Sequence, residues 1–98
     1  MSEIAFDTLI DGKPIAIEVD GTPVCVVKIA EQVFAVADTC THSEASLSEG
    51  EVTGGKIECW LHGAEFDLKT GEALTPPATQ ALKTFNVKRN GNQLTITN

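Results

Sequence analysis

Basic side chains are scarce in this chain. Only 7 Lys and Arg stand against 14 Asp and Glu, which leaves a formal net charge of -7 and a pI near 4.6. That balance argues against nucleic acid or an anionic membrane surface as a partner and favours a basic protein. No apolar run is long enough to span a bilayer. The start, Met1-Ser2-Glu3-Ile4, has neither a basic cluster nor the apolar stretch of a secretory signal, and the cysteine count is odd at 3. Both features lead us to expect a reducing cytoplasm. Repeats, low-complexity tracts and linkers are missing, and 98 residues make one small domain, 1–98, with no room for a separate substrate domain. There is no phosphate-binding glycine motif, no Ser-His-Asp set and no site of two histidines and a carboxylate for a mononuclear iron. An enzyme is therefore not expected.

What is present is concentrated. The chain's only 2 histidines fall in two short motifs, Cys40-Thr41-His42 and Cys59-Trp60-Leu61-His62, with 16 residues between them. Each motif pairs one thiol with one imidazole. Structural zinc sites usually take two like ligands from each knuckle, Cys-x2-4-Cys and His-x3-5-His. The mixed arrangement lets Cys40 and Cys59 converge on one metal and His42 and His62 on another. That division suits a [2Fe-2S] cluster of the Rieske type, in which two histidines replace two cysteines on one iron. Zinc remains the alternative, and with it a zinc-stabilised interaction module.

The residues resemble the Rieske-type ferredoxins, especially those of bacterial aromatic-ring dioxygenases. The resemblance runs through Cys40-Thr41-His42, Gly50-Glu51-Val52, the stretch Cys59-Trp60-Leu61-His62-Gly63-Ala64-Glu65-Phe66-Asp67, Thr70-Gly71 and Pro76-Pro77-Ala78. It implies a cluster-binding region of about 38–78, with Cys40 and Cys59 on the buried iron and His42 and His62 on the iron nearest solvent. It also implies a proline loop over the cluster. The role would be that of a one-electron carrier, docking transiently with a flavin-dependent NAD(P)H reductase and then with a terminal oxygenase. The small subunit of an assimilatory nitrite reductase is the alternative within redox chemistry.

The high-potential branch of that family carries a disulfide between its ligand loops and donates Ser and Tyr hydroxyls to the cluster. Here Ala45 and Leu61 stand in place of the two cysteines, and Ala64 and Phe66 in place of the hydroxyls. With fewer donors to stabilise the extra electron, the potential should lie toward the low end of the roughly -150 to +300 mV Rieske range.

Short strands punctuated by turns point to an all-β fold, a small antiparallel barrel or sandwich. Ile15 to Val19 alternates, Asp20-Gly21 is a two-residue hairpin signal, and Val24 to Ile29 returns. Gln32 to Ala37 leads to Cys40, and Gly54-Gly55 turns the chain into Lys56 to Glu58 and Cys59, so both ligand loops are expected to hang from hairpins. Lys69-Thr70-Gly71 is a further turn, and Asn90-Gly91 separates Phe85 to Lys88 from Gln93 to Thr97, a last hairpin that should pair back onto the first strands. Cys25, within Pro23-Val24-Cys25-Val26-Val27, reads as a small core residue. The charge is uneven: residues 1–37 carry -4, residues 38–72 carry -6 and residues 73–98 carry +3. Acids therefore crowd the cluster region, where they would steer a basic partner.

Overall fold

The computed structural model describes residues 2–39, 46–59, 64–74 and 81–97. Among them lie nine strands: β1 Ser2–Ala5, β2 Ile15–Val19, β3 Thr22–Ile29, β4 Gln32–Ala37, β5 Glu51–Thr53, β6 Lys56–Glu58, β7 Glu65–Asp67, β8 Asn86–Asn90 and β9 Gln93–Thr97. They form three antiparallel three-stranded sheets, in the orders β1-β9-β8, β2-β3-β4 and β5-β6-β7. The only helical pieces among the described residues are two 3-10 turns, Phe6–Thr8 and Leu47–Glu49. All-β architecture is thus as expected.

The period-2 alternation of side chains decides how the sheets stack. On β3, Val24 and Val26 face one core while Cys25 and Val27 face another. On β4, Val33, Ala35 and Ala37 pack on the first core, and Phe34 and Val36 on the second. The middle sheet is therefore a shared wall, which explains why Val24-Cys25-Val26-Val27 is an unbroken apolar run, each residue 0% exposed. One side of the wall, with Leu94 and Ile96 of β9, makes the distal core. The other side, with Leu47, Ile57, Cys59, Ala64 and Phe66, makes the core beneath the ligand-bearing segments. Cys25 belongs to the second core, as its apolar setting suggested.

Turn chemistry fixes the registers. Asp20 and Gly21 both adopt positive φ, 50° and 83°, as a tight two-residue hairpin turn requires, and Val19 pairs with Thr22 across it. The last hairpin turns one residue later than expected: Asn90 pairs with Gln93, so the corner is Gly91-Asn92. Gly91 takes the left-handed first corner at φ 63°. Asn92 is then free to accept the Phe6 N–H at its carbonyl (2.7 Å) and the Asp7 N–H at its side-chain oxygen (3.0 Å). The closing partner of that hairpin is β1, a strand the sequence pattern did not reveal; Ser2 to Ala5 pair with Ile96 to Gln93. At the distal end both Arg89 (3.6 Å) and Lys28 (4.6 Å) lie over the Phe6 ring, two cation–π contacts on one aromatic side chain.

Residues 83–85 extend the wall. Ala37 N–H donates to the Lys83 carbonyl (2.8 Å) and Phe85 N–H to the Ala35 carbonyl (2.8 Å), which covers the edge of β4 before the chain enters β8. Edge coverage of this kind removes a free row of backbone donors.

Candidate metal centre

The second ligand loop hangs from a true hairpin. β6 and β7 pair through Lys56–Asp67, Ile57–Phe66 and Glu58–Glu65, and the pairing ends where Cys59 N–H donates to the Ala64 carbonyl at 2.7 Å. Alternation turns Ile57 inward, Glu58 outward and Cys59 inward again, so Cys59 is buried in the same core as Ile57. Residues 60–63, with Trp60, Gly63 and the candidate ligand His62, lie outside the described residues.

The first loop is held differently, and here the expectation of a hairpin fails. β4 pairs with β3 and β5 with β6, so the two strands flanking residues 40–45 are not partners. Only a single bridge, Thr39 to Ser46, closes the base. The rest of the closure comes from Asp38, whose carbonyl accepts from Leu47 N–H (2.6 Å) and whose carboxylate accepts from Ser48 N–H (2.8 Å) and from the Ser46 hydroxyl. Strands committed to other partners leave the loop base to side-chain hydrogen bonds. Cys40, His42, Glu44 and Ala45 lie outside the described residues, as do Leu61 and Pro76-Pro77.

Glycine joins the two loop bases. A Cβ on Gly50 would collide with the Glu58 carbonyl, so only glycine lets the limb returning from the first loop pass the strand that delivers Cys59. On either side of residues 75–80, Leu74 N–H donates to the Glu65 carbonyl (2.8 Å) and Leu82 N–H to the Gly71 carbonyl (2.7 Å). Leu47, Cys59, Ala64 and Leu82 share one core, with Ala73 packed against it. Described residues near each of 40–45, 60–63 and 75–80 thus share one apolar floor.

Charge is organised on the solvent face of the third sheet. Register places Glu51 opposite Glu58 and Glu58 opposite Glu65, an unbroken row of like charge at the foot of the second loop. The next outward row, Thr53, Lys56 and Asp67, mixes signs. Below the floor the Cys25 thiol is pushed up to about 12 from 9.0, by burial first and by the nearby Asp38 charge second. No group of three or more His, Cys, Asp and Glu suited to a metal occurs among the described residues, and of the four expected ligands Cys59 alone is among them. Asp38, Ser46 and Gly50 were not singled out for these roles from the sequence; an acid two residues before Cys40, with serines on the far side of the motif, is the signal that was available.

The Rieske [2Fe-2S] domain model matches residues 3–86. The chain belongs to that family. Its cofactor is accordingly one Rieske-type [2Fe-2S] cluster, and its class is an electron-transfer component, not a catalyst. The ferredoxin component of the naphthalene 1,2-dioxygenase system of Pseudomonas putida is 35% identical over 85 residues, 87% of this chain and 82% of that protein. Among solved structures, the ferredoxin of carbazole 1,9a-dioxygenase from Nocardioides aromaticivorans IC177 superposes with a TM-score of 0.94 at 32% identity, covering 96% of this chain and 92% of that one. A ferredoxin solved in complex with its oxygenase, from a carbazole 1,9a-dioxygenase, gives a TM-score of 0.90 at 34% identity, over 95% and 96% of the two chains. A nitrite reductase small subunit shares the fold, with a TM-score of 0.82, but is only 22% identical over the full length of both chains. That likeness concerns the fold alone.

Proposed function

We propose that Cys40, His42, Cys59 and His62 hold the cluster, and that the chain passes single electrons from a flavin-dependent NAD(P)H reductase to a terminal oxygenase acting on aromatic or similar apolar compounds in the cytoplasm. The observation that carries the ligand assignment is the common floor. Buried Cys59 at the end of β6 and Leu47, next to the Thr39–Ser46 bridge, belong to one core, which supports a shared site for the two motifs. Two thiolates and two imidazoles are the donor set a Rieske cluster takes. A fully buried cysteine fits the inner iron, because a thiolate there is neutralised by metal and not by water.

When bound, the cluster supplies a site that accepts and releases one electron. The chain's own residues do the rest. The apolar floor of Leu47, Ala64 and Phe66 keeps water from the cysteine side. Ala64 and Phe66 bring no hydroxyl toward the loops, which favours a low potential. The glutamate row Glu51-Glu58-Glu65 offers a basic partner a surface beside the second loop, and such complementarity raises association rates without a permanent complex. The kinship with dioxygenase ferredoxins, one of them solved with its oxygenase, supports the choice of partner. Among the described residues no helix is long and apolar enough to cross a membrane.

Electron paramagnetic resonance before and after dithionite, with iron, sulfide and zinc quantified on the same sample, tests this reading. A silent oxidised form and a reduced signal of low average g are the expected result. Silence in both states with stoichiometric zinc would overturn it.

A further inference from the structure

Asp38 is the one buried charged side chain among the described residues, 5% exposed, and neither the proposed ligand set nor the acidic docking face uses it. It precedes Cys40 by two residues, a length of chain that reaches about 7 Å at most, so its backbone stays close to the first ligand whatever path the loop takes. Its contacts are not those of a carboxylate merely hidden from solvent. Its N–H donates to the Pro23 carbonyl in β3 (3.1 Å), which anchors it to the wall, and its carbonyl accepts from Leu47 N–H (2.6 Å). Among the described residues the carboxylate takes one donor on each oxygen, Ser48 N–H on Oδ1 (2.8 Å) and the Ser46 hydroxyl on Oδ2. Ser46 has a single hydroxyl proton and gives it to Asp38, so in the 2.8 Å contact between the two serine hydroxyls Ser48 is the donor. Each bond from Asp38 to Ser46, Leu47 or Ser48 joins the chain before residues 40–45 to the chain after them.

We propose that Asp38 is a positioning residue for the cluster: its bonds to Ser46 and Ser48 tie together the two chain limbs that flank residues 40–45, and its fixed negative charge biases the cluster toward the oxidised state. The inference rests on the ligand assignment proposed above. Reduction adds one electron, and so one negative charge, to the cluster. A carboxylate nearby raises the energy of that product more than of the oxidised form, and burial limits the screening that salt would otherwise provide. One residue thereby couples loop closure to redox balance.

The test is a spectroelectrochemical titration of the holoprotein, with the reduced resonance spectrum and the rate of bleaching by an iron chelator, for wild type, Asp38→Asn and Ser46→Ala. The amide in Asp38→Asn still accepts from Ser48 N–H and can donate to Ser46, so the shape survives and the charge goes. The equilibrium constant for reduction should rise about tenfold, an upward shift of about 59 mV for one electron. Ser46→Ala keeps the charge and removes a donor that partly offsets it. Its potential should move downward, and its cluster should bleach about threefold faster, the scale of one lost net hydrogen bond. Opposite signs in the two variants are not what a generally loosened fold would give. A rise in both potentials, or a normal spectrum in Asp38→Asn with an unmoved potential, overturns the proposal. If Asp38→Asn holds no cluster, Ser46→Ala decides: an unchanged bleaching rate or a potential that fails to fall overturns it. A wild type without the mixed His/Cys signal would instead defeat the ligand assignment, while an intact wild-type signal with indifferent variants defeats only the role of Asp38.

Discussion

Replacing Gly50 by alanine should damage the site from outside it. Gly50 has φ -88° and ψ -169°, an extended conformation any residue adopts, so backbone strain contributes nothing. The cost is purely steric: the new methyl would overlap the Glu58 carbonyl and press on its carbon and on the Leu47 carbonyl. Those are backbone atoms of β6 and of the 3-10 turn Leu47–Glu49, which cannot swing aside as a side chain can. Overpacking of this kind costs about 1–3 kcal/mol. An alanine at an unstrained position recovers about 0.4–1 kcal/mol by stiffening the unfolded chain. The net loss of up to about 2.6 kcal/mol converts, at roughly 4–8 °C per kcal/mol for a domain of this size, to a melting point lower by up to about 20 °C. Because Glu58 directly precedes Cys59, the displacement reaches a proposed ligand, and visible absorbance of the cluster should bleach at a lower temperature than the far-ultraviolet transition of the fold. Gly71→Ala should cost more, since its Cβ would strike the Leu82 carbonyl and its φ of 78° adds about 1–2 kcal/mol of left-handed strain. Melting curves followed at both wavelengths measure this. A Gly50→Ala protein that melts and bleaches with wild type, or a Gly71→Ala protein milder than Gly50→Ala, would refute the reasoning.

The Cys25 thiol, raised to about 12 in the fold from 9.0, keeps its proton where the unfolded chain loses it, so stability falls as pH climbs through that window. At about 1.4 kcal/mol per unit the loss reaches at most about 4 kcal/mol; urea midpoints between pH 8.5 and 11 should show a steeper alkaline decline in wild type than in Cys25→Ala, and parallel declines would contradict it. Arg89 bonds Glu31 at 3.2 Å and lies 3.6 Å from the Phe6 centroid, but Glu31 is 86% exposed. Arg89→Ala should therefore cost about 1 kcal/mol and Glu31→Ala within about 0.5, with equal costs in chemical denaturation counting against the aromatic contact. His62→Cys should hold a cluster, if at all, at a lower potential, because a thiolate adds negative charge to the outer iron; an unchanged potential in film voltammetry would show that His62 is not a ligand.

The strands most legible in the sequence were those whose pattern and turns agreed. Ile15–Val19, Gln32–Ala37, Lys56–Glu58 and Gln93–Thr97 have the bounds their alternation and flanking glycines suggested. β1 was invisible because four residues next to a terminus carry too little pattern, and its stability comes from pairing with residues some 90 positions away. The two-sided burial of β3 was written plainly in Val24-Cys25-Val26-Val27, yet which residue faced which core depended on register. The ligand motifs were legible as chemistry, since few other uses gather the chain's only histidines with two of its cysteines. Their support was not. The hairpin expected beneath the first loop gave way to Asp38, Ser46 and Ser48, because a hydrogen-bond strap needs no periodicity and leaves only ordinary polar residues as its trace.

The glutamate row sets like charge opposite like charge within the sheet. Like charges directly opposite each other weaken a strand pair by a few tenths of a kcal/mol or more. The neighbouring row, with Lys56 beside Asp67, demonstrates that this sheet accommodates opposite signs. Lysine at the Glu58 position would relieve both repulsions at once, because Glu58 faces Glu51 on one side and Glu65 on the other. The row sits at the foot of the second loop, whereas Lys28 and Arg89 lie around Phe6 on the distal core. The acids that crowd residues 38–72 favour the approach of a basic surface to that side. Under the proposed function, contact with cations adds favourable charge pairing at this row. That contribution is electrostatic and exposed, and salt weakens it. A carrier that must release one partner to meet the next is served by an interface of this kind.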